Sequence, residues 1–233
     1  MHKSQIFPEV MSRIAERRGA AHVYNVLEPT RTALVVIDMQ NCWVMQGQPG
    51  YTSNCQDIVP PINRLAAGLR QACGTVVWIQ MNQSAAATAN WPRFSDFFPS
   101  EAVLRRWTDA LTPGALGYQL WQGLEVKPQD LVIEKLRFSA FIQGSSNLDA
   151  ELRKRGIDTV LITGTGTNIC CESTARDAQM LNYRVVMVSD GNACRTDAEH
   201  NATLSNLFGL FADVMTSDEV LERLKTAATA KAA

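Results

Sequence analysis

Cys170 stands in the stretch Gly164-Thr-Gly-Thr-Asn-Ile-Cys170-Cys171-Glu-Ser-Thr174-Ala-Arg-Asp-Ala178, where an apolar run, Thr159–Thr163, turns through glycines into a helical pattern. A cysteine at such a turn meets the positive end of a helix dipole and loose backbone N–H groups, both of which favour thiolate over thiol. The expected thiol pKa therefore lies below the roughly 8.5 of a free cysteine. Asp38 closes Thr32-Ala-Leu-Val-Val-Ile-Asp38, and Lys135 closes Asp130-Leu-Val-Ile-Glu-Lys135. An acid after five apolar residues costs burial energy unless it has a partner. If the apolar runs are strands of one parallel sheet, their ends gather at one edge. A nucleophile, a carboxylate base and a cation then meet from different segments, a constellation for covalent catalysis.

The elements that must position them are legible as alternating patterns. Strands are expected at Ala33–Ile37, Thr75–Ile79, Leu131–Glu134, Thr159–Thr163, Arg184–Val188 and Ala212–Thr216. Helices are expected at Ile58–Ala72, Asn147–Arg155, Cys171–Leu181, Ala198–Phe208 and Ser217–Ala230. This alternation predicts an α/β fold: a single domain with a doubly wound, mostly parallel sheet flanked by helices on both faces. Residues 31–225 are assigned to that domain. Residues 1–30 form an N-terminal extension with an amphipathic helix at Pro8–Arg18, read as an oligomer arm, a pocket wall or a frayed tail. Residues 82–128 form an insertion rich in aromatics, among them Trp91, Phe94, Phe97, Phe98 and Trp107. Such an excursion serves as a lid or binding wall, or packs on the core.

Composition narrows the partner. The chain has 233 residues, 46% hydrophobic and 19% charged, enough to bury one sizeable core. A net charge of -1 gives no field for nucleic acid or an anionic membrane, which leaves a small molecule. No apolar run approaches a bilayer span and the N-terminal residues lack a signal-peptide core, so a cytoplasmic setting is expected. The six cysteines are then expected as free thiols, with Cys73, Cys171 and Cys194 in the core.

Asp38 in Val-Val-Ile-Asp-Met-Gln-Asn41, Lys135 in Glu-Lys-Leu-Arg-Phe-Ser-Ala-Phe141 and Cys170 in its Thr-Asn-Ile-Cys-Cys-Glu-Ser-Thr-Ala-Arg-Asp-Ala178 run resemble the isochorismatase-like cysteine hydrolases. The likeness runs from about Arg31 to about Val220 and is nearest the ureidoacrylate and biuret type. The resemblance implies an Asp38–Lys135–Cys170 triad. Asp38 would take the thiol proton, pass it to the leaving amine and then activate water; Lys135 would hold the anions charged. It also implies a non-proline cis bond between Thr165 and Gly166, with the N–H groups of Gly166 and Cys170 as an oxyanion hole. A homo-oligomer, dimer or tetramer, is implied as well.

Nicotinamidases of that family carry an Asp-x-His motif near the end of the second strand, where this chain reads Trp78-Ile-Gln-Met-Asn-Gln83. The only histidines are His2, His22 and His200, from which no zinc cluster is expected. Ile169 stands where a dinucleotide fingerprint needs glycine, so no cofactor is expected. Asn41, Trp43, Gln80, Asn82 and Gln83, with Gln40, follow or end the first two strands, and Phe138 and Phe141 follow Lys135; these are the substrate-binding candidates. Their amides suit a ureido or carboxamide group. Arg137 and Arg176 could bind a carboxylate, although Glu172 lies one turn before Arg176 and an intrahelical ion pair is the better reading. The leading expectation is a metal-independent cysteine amidohydrolase cleaving a small linear amide or ureido compound. The alternatives are vinyl-ether hydrolysis of the isochorismatase type and a thiol redox or binding protein using Cys170-Cys171.

Overall fold

The computed structural model describes residues 1–232, with side chains described through Ala227. Six strands form one sheet in the order β3-β2-β1-β4-β5-β6. They are β1 (Thr32–Ile37), β2 (Thr75–Met81), β3 (Leu131–Lys135), β4 (Thr159–Thr165), β5 (Arg184–Ala193) and β6 (Asp213–Met215). All pairings are parallel. The chain winds outward one way from β1 to β3 and the other way from β4 to β6, so the β1/β4 boundary is the crevice where such sheets hold ligands.

β1 is buried throughout, and its alternation sorts the core into two layers. Ala33, Val35 and Ile37 face α6 (Leu148–Lys154), α7 (Glu172–Met180) and α8 (Asp197–Leu210), through Leu152, Ala175 and Leu204 among others. Leu34 and Val36 face α3 (Val59–Gln71) and α9 (Ser217–Ala232), through Ile62, Leu65 and Leu224. Pro60 and Pro61 sit in the first turn of α3, where the missing N–H costs nothing.

The largest departure from the sequence expectation is β5, which runs five residues past Val188. Its register with β4 jumps from Ile162↔Met187 to Gly164↔Asn192. The Asn192 amide donates to the carbonyls of Ile162 and Val188 at 2.8 and 2.7 Å, and so spans the break. The expected core position of Cys73 is also corrected: Cys73 is exposed, at φ 62° in the turn after α3.

Residues 1–30 are tied down on α8. Their helix, α1 (Pro8–Arg18), places Arg18 on the Phe208 carbonyl at 2.7 Å, and Ser4 approaches His200 at 3.0 Å. The insertion is not a structureless loop. It carries α4 (Ala85–Thr88), a 3-10 turn at Pro92–Phe97 and α5 (Glu101–Ala110), the two helices capped by the hydroxyls of Ser84 and Ser100. α2 (Asn41–Val44) is a single turn directly after β1.

Candidate active site

Three chain segments deliver the chemistry to the carboxyl edge of the sheet. Asp38 follows β1 with φ 54°, a left-handed conformation that aspartate tolerates better than most residues, while its N–H stays on the Ile79 carbonyl at 3.0 Å. Next to it, a Cβ on Gly164 would lie 2.0 Å from the Ile37 carbonyl oxygen, so only glycine lets β4 come this close to β1. Lys135 is the last residue of β3, in register with Met81 of β2. The chain leaves β4 through a cis peptide at Thr165–Gly166 and makes a wide π-type turn, Thr167–Cys171, before α7. Such turns recur at functional sites. Thr174 holds that turn by donating to the Cys170 carbonyl at 2.6 Å.

The three side chains converge. Nζ of Lys135 lies 2.9 Å from Oδ2 of Asp38 and 3.4 Å from Sγ of Cys170, and it also meets the Arg137 carbonyl at 3.1 Å and Met81 Sδ at 3.2 Å. Asp38 and Lys135 are wholly buried and Cys170 nearly so. Lys135 and Asp38 thus form a buried ion pair at 2.9 Å.

Burial raises the Asp38 carboxyl above the usual range, and the Lys135 charge offsets only part of that. For Lys135, burial works against the ammonium, but the Asp38 and Cys170 charges outweigh it and the group remains a cation. The expected low pKa of Cys170 is corrected. Burial pushes the thiol well above a free cysteine, the neighbouring Asp38 anion adds to this, and Lys135 recovers only part. These surroundings favour the thiol over the thiolate and make the Asp38 carboxylate more basic, an arrangement suited to passing one proton between them.

Asp38 and Cys170 open into a cavity of about 650 Å³. Gly166, Asn168 and Ile169 from the turn after β4 line one part of it, with Cys194, Arg195 and Glu199 from beyond β5. Much of the remaining wall is aromatic and comes from the insertion, with Trp43 and Phe138.

Residues 32–219 match the family model of the isochorismatase domain. The chain belongs to the isochorismatase family. It is 32% identical over 208 residues to a ureidoacrylate amidohydrolase of Pseudomonas savastanoi pv. phaseolicola, covering 83% of each chain. It is 31% identical to an uncharacterised isochorismatase family protein of Bacillus subtilis, covering 84% of this chain and 95% of that one. Among solved structures it resembles a cysteine hydrolase from Pseudomonas syringae pv. phaseolicola, with a TM-score of 0.79 at 28% identity, over 89% of this chain and 98% of the other. It also resembles the N-carbamoylsarcosine amidase of Thermoplasma acidophilum, with a TM-score of 0.62 at 28% identity, over 81% and 97% of the two chains.

Within this isochorismatase fold the substrate-binding candidates divide. Trp43, Gln83 and Phe138 line the cavity. Asn41, Gln80, Asn82 and Phe141 do not, and their expected role is corrected. Asn41 donates to the Leu116 carbonyl, Gln80 to that of Tyr118, and Asn82 accepts from the Ser84 N–H, each at 2.9 Å. Phe141 packs on Tyr183 in the core, with ring centroids 5.3 Å apart. Gln40 is spent as a clamp, bonded to both the N–H and the carbonyl of Met81. Cys171 sits in the core with Sγ toward the Thr163 carbonyl, away from Lys135. Arg176 pairs with Glu172 at 2.6 Å as expected, and Arg137 lies over the Trp91 ring. Asn168, Arg195 and Glu199 were missed because Asn168 lies in the wide turn after β4, and Arg195 and Glu199 follow the extension of β5 past Val188. None of residues 1–30 lines the cavity, so that segment buttresses α8 from behind instead of walling the pocket.

Nothing in the sequence signals that two of the histidines come together with a cysteine. His2, Cys194 and His200 meet with their candidate ligand atoms within 4.8 Å of one another. Their geometry does not suit a metal ion. The two imidazoles are stacked, with centroids 4.4 Å apart and planes at 15°, so their in-plane lone pairs run side by side and cannot meet at one point. Every ring nitrogen also has a protein partner: Asp197 and the Cys194 N–H for His2, Thr167 and Ser189 for His200.

Proposed function

We propose that the protein is a metal-independent cysteine amidohydrolase that cleaves a C–N bond of a linear amide or ureido compound through a covalent intermediate on Cys170. The observation that carries this reading is one buried ammonium within 2.9 Å of a carboxylate and 3.4 Å of a thiol, the carboxylate and the thiol both lining the cavity. As substrate arrives, the Cys170 proton passes to Asp38 and Sγ bonds to the carbonyl carbon. The developing oxyanion is received by the amides of Gly166 and Cys170. The C–N bond then breaks, and the leaving nitrogen takes the proton from Asp38, which leaves a thioester or thiocarbamate. Water gives a proton to Asp38 as its oxygen bonds to the same carbon. The C–S bond breaks, and the proton returns to sulfur. Lys135 keeps its positive charge throughout and offsets whichever neighbour is anionic. The catalytic unit is residues 31–225, with 82–128 as an insertion in it and 1–30 as an appended buttress.

The ureidoacrylate amidohydrolase and N-carbamoylsarcosine amidase relatives support the C–N bond class. The test is ammonia release from a panel of ureido acids, half-amides and aryl amides, with acid-quenched protein examined by mass spectrometry. An acyl or carbamoyl mass on the peptide bearing Cys170 is the expected result. Turnover with no adduct at Cys170 under single-turnover conditions, or turnover of isochorismate alone, overturns the reading.

A further inference from the structure

The cavity is far more aromatic than a small ureido acid requires. Rings that line it form a continuous chain in contact: Trp43 to Trp107 at 5.0 Å between centroids, Trp107 to Phe98 at 5.9 Å, Phe98 to Phe94 at 5.0 Å, Phe94 to Trp91 and Trp91 to Phe138 each at 4.9 Å. Most of these contacts are edge-to-face, the geometry in which rings hold one another in place.

Some polar groups at or beside this wall are engaged by the protein, although Trp43 Nε1 has no hydrogen-bond partner among the described residues and Arg195 and Glu199 also line the cavity. Trp107 Nε1 donates to Gln83 Oε1 at 2.5 Å, which occupies the oxygen of an amide that lines the cavity. Arg93 pairs with Asp96 at 3.4 Å, and Arg137 lies with its guanidinium 5.1 Å from the Trp91 ring centre. What the wall offers a ligand is ring surface. A cavity of 650 Å³ falls in the range of about 300–1,000 Å³ that holds drug-sized ligands, well beyond a few-atom ureido group.

From this we infer that the substrate carries an aryl or arylalkyl group on its amide or ureido centre, seated against the Trp91–Phe94–Phe138 surface while the carbonyl meets Cys170. The inference rests on the amidohydrolase reading and extends it to a substrate class. A ring placed there loses water against the edges and faces of rings that hold one another in place, so matched aryl and methyl substrates should separate by at least ~10-fold, the lower end of what an apolar pocket discriminates.

Two matched pairs test this: benzylurea against methylurea, and phenylacetamide against propionamide, each followed by ammonia release. The expected result is kcat/KM at least ~10-fold higher for the aryl member of the productive pair. The conservative variants Phe94→Leu and Phe138→Leu, and Trp91→Ala where it folds, should collapse that ratio toward one. An aryl-to-methyl ratio at or below one in the wild-type enzyme overturns the inference and leaves the amidohydrolase reading standing. If neither pair is turned over, equilibrium binding to Cys170→Ser, read by quenching of Trp43, Trp91 and Trp107 fluorescence, decides the wall separately. Benzylurea bound at least tenfold more tightly than methylurea supports the inference; equal or undetectable binding of both sinks it.

Discussion

Nζ of Lys135 stands 3.4 Å from Sγ of Cys170, yet the surroundings push the thiol pKa up and not down. The cation alone would favour thiolate, but full burial and the Asp38 carboxylate act the other way and prevail. The sequence argument for a low pKa counted the helix end and the lysine and could not count desolvation. Alkylation of the resting enzyme should therefore modify exposed Cys73 first, by access alone, and Cys170 slowly at neutral pH with a rate that climbs above pH 9. Peptide mapping after timed iodoacetamide treatment checks the order. Preferential labelling of Cys170 at pH 7 would show that a thiolate is already present.

Cys170 and Cys171 are neighbours in sequence with opposite fates. Successive side chains on a helical turn point about 100° apart, and only Cys170 faces Lys135 while Cys171 is core. Cys170→Ala should lower kcat/KM by about a thousandfold or more, as loss of a nucleophile does elsewhere. Cys171→Ala should keep activity within a few-fold and lose roughly 1 kcal/mol of stability. Similar activity losses in the two variants would remove Cys170 from the nucleophile's role.

Lys135 and Asp38 are coupled through burial. Removing one partner of a buried pair typically costs about 3–5 kcal/mol, because the other charge is left without compensation. Lys135→Met and Asp38→Asn should each destabilise and each abolish turnover, whereas the double variant should regain much of the lost stability and none of the activity. Denaturant midpoints at constant m-value measure this. Additive stability losses in the double variant would mean that the pair is not coupled.

The meeting of the three polar side chains was legible from the strand ends, and much of the cavity wall around them was not. That Asp38, Lys135 and Cys170 come together could be expected because a parallel sheet gathers the ends of apolar runs, whatever the loops do. Gln80 was misplaced by one step of alternation. β2 continues through Met81, so Ile79 and Met81 share a face and Met81 reaches the cavity while Gln80 turns the other way, to Tyr118. That signal was present in the run Thr75–Met81 but was cut short when the strand was ended at Ile79. Arg195 and Asn168 lie beyond what periodicity reports, because the Gly164–Asn192 register jump and the wide turn after β4 set their positions.

The side-by-side imidazoles of His2 and His200 argue against a metal requirement. Dialysis against chelator should leave turnover within error of the untreated enzyme, while a thiol alkylator at high pH abolishes it. Loss of activity on chelation with recovery on added zinc would require the histidine cluster to rearrange into a site.

His200 carries the clearest pH signature. It is fully buried, with Nδ1 3.0 Å from Thr167 Oγ1 and Nε2 3.1 Å from the Ser189 carbonyl, so its partners assign the neutral tautomer with the proton on Nε2. Burial, with the stacked His2 next, lowers its pKa to about 4, from 6.5; Asp197, on the far side of His2, opposes this weakly. A group with a depressed folded pKa contributes stability that is present above the unfolded value and lost as pH falls through the folded one. The window here runs from about pH 6.5 down to about pH 4. A shift of that size corresponds to roughly 3 kcal/mol at most. His200→Gln keeps hydrogen-bonding capacity toward Thr167 and Ser189 without a titrating ring, so its melting temperature should be lower than wild type at pH 7.5 but fall less steeply toward pH 4.5. Because Thr167 opens the turn that carries Cys170, the wild-type loss of activity on acidification should follow the same window. Parallel Tm–pH curves for the two proteins would show that His200 does not drive the acid transition.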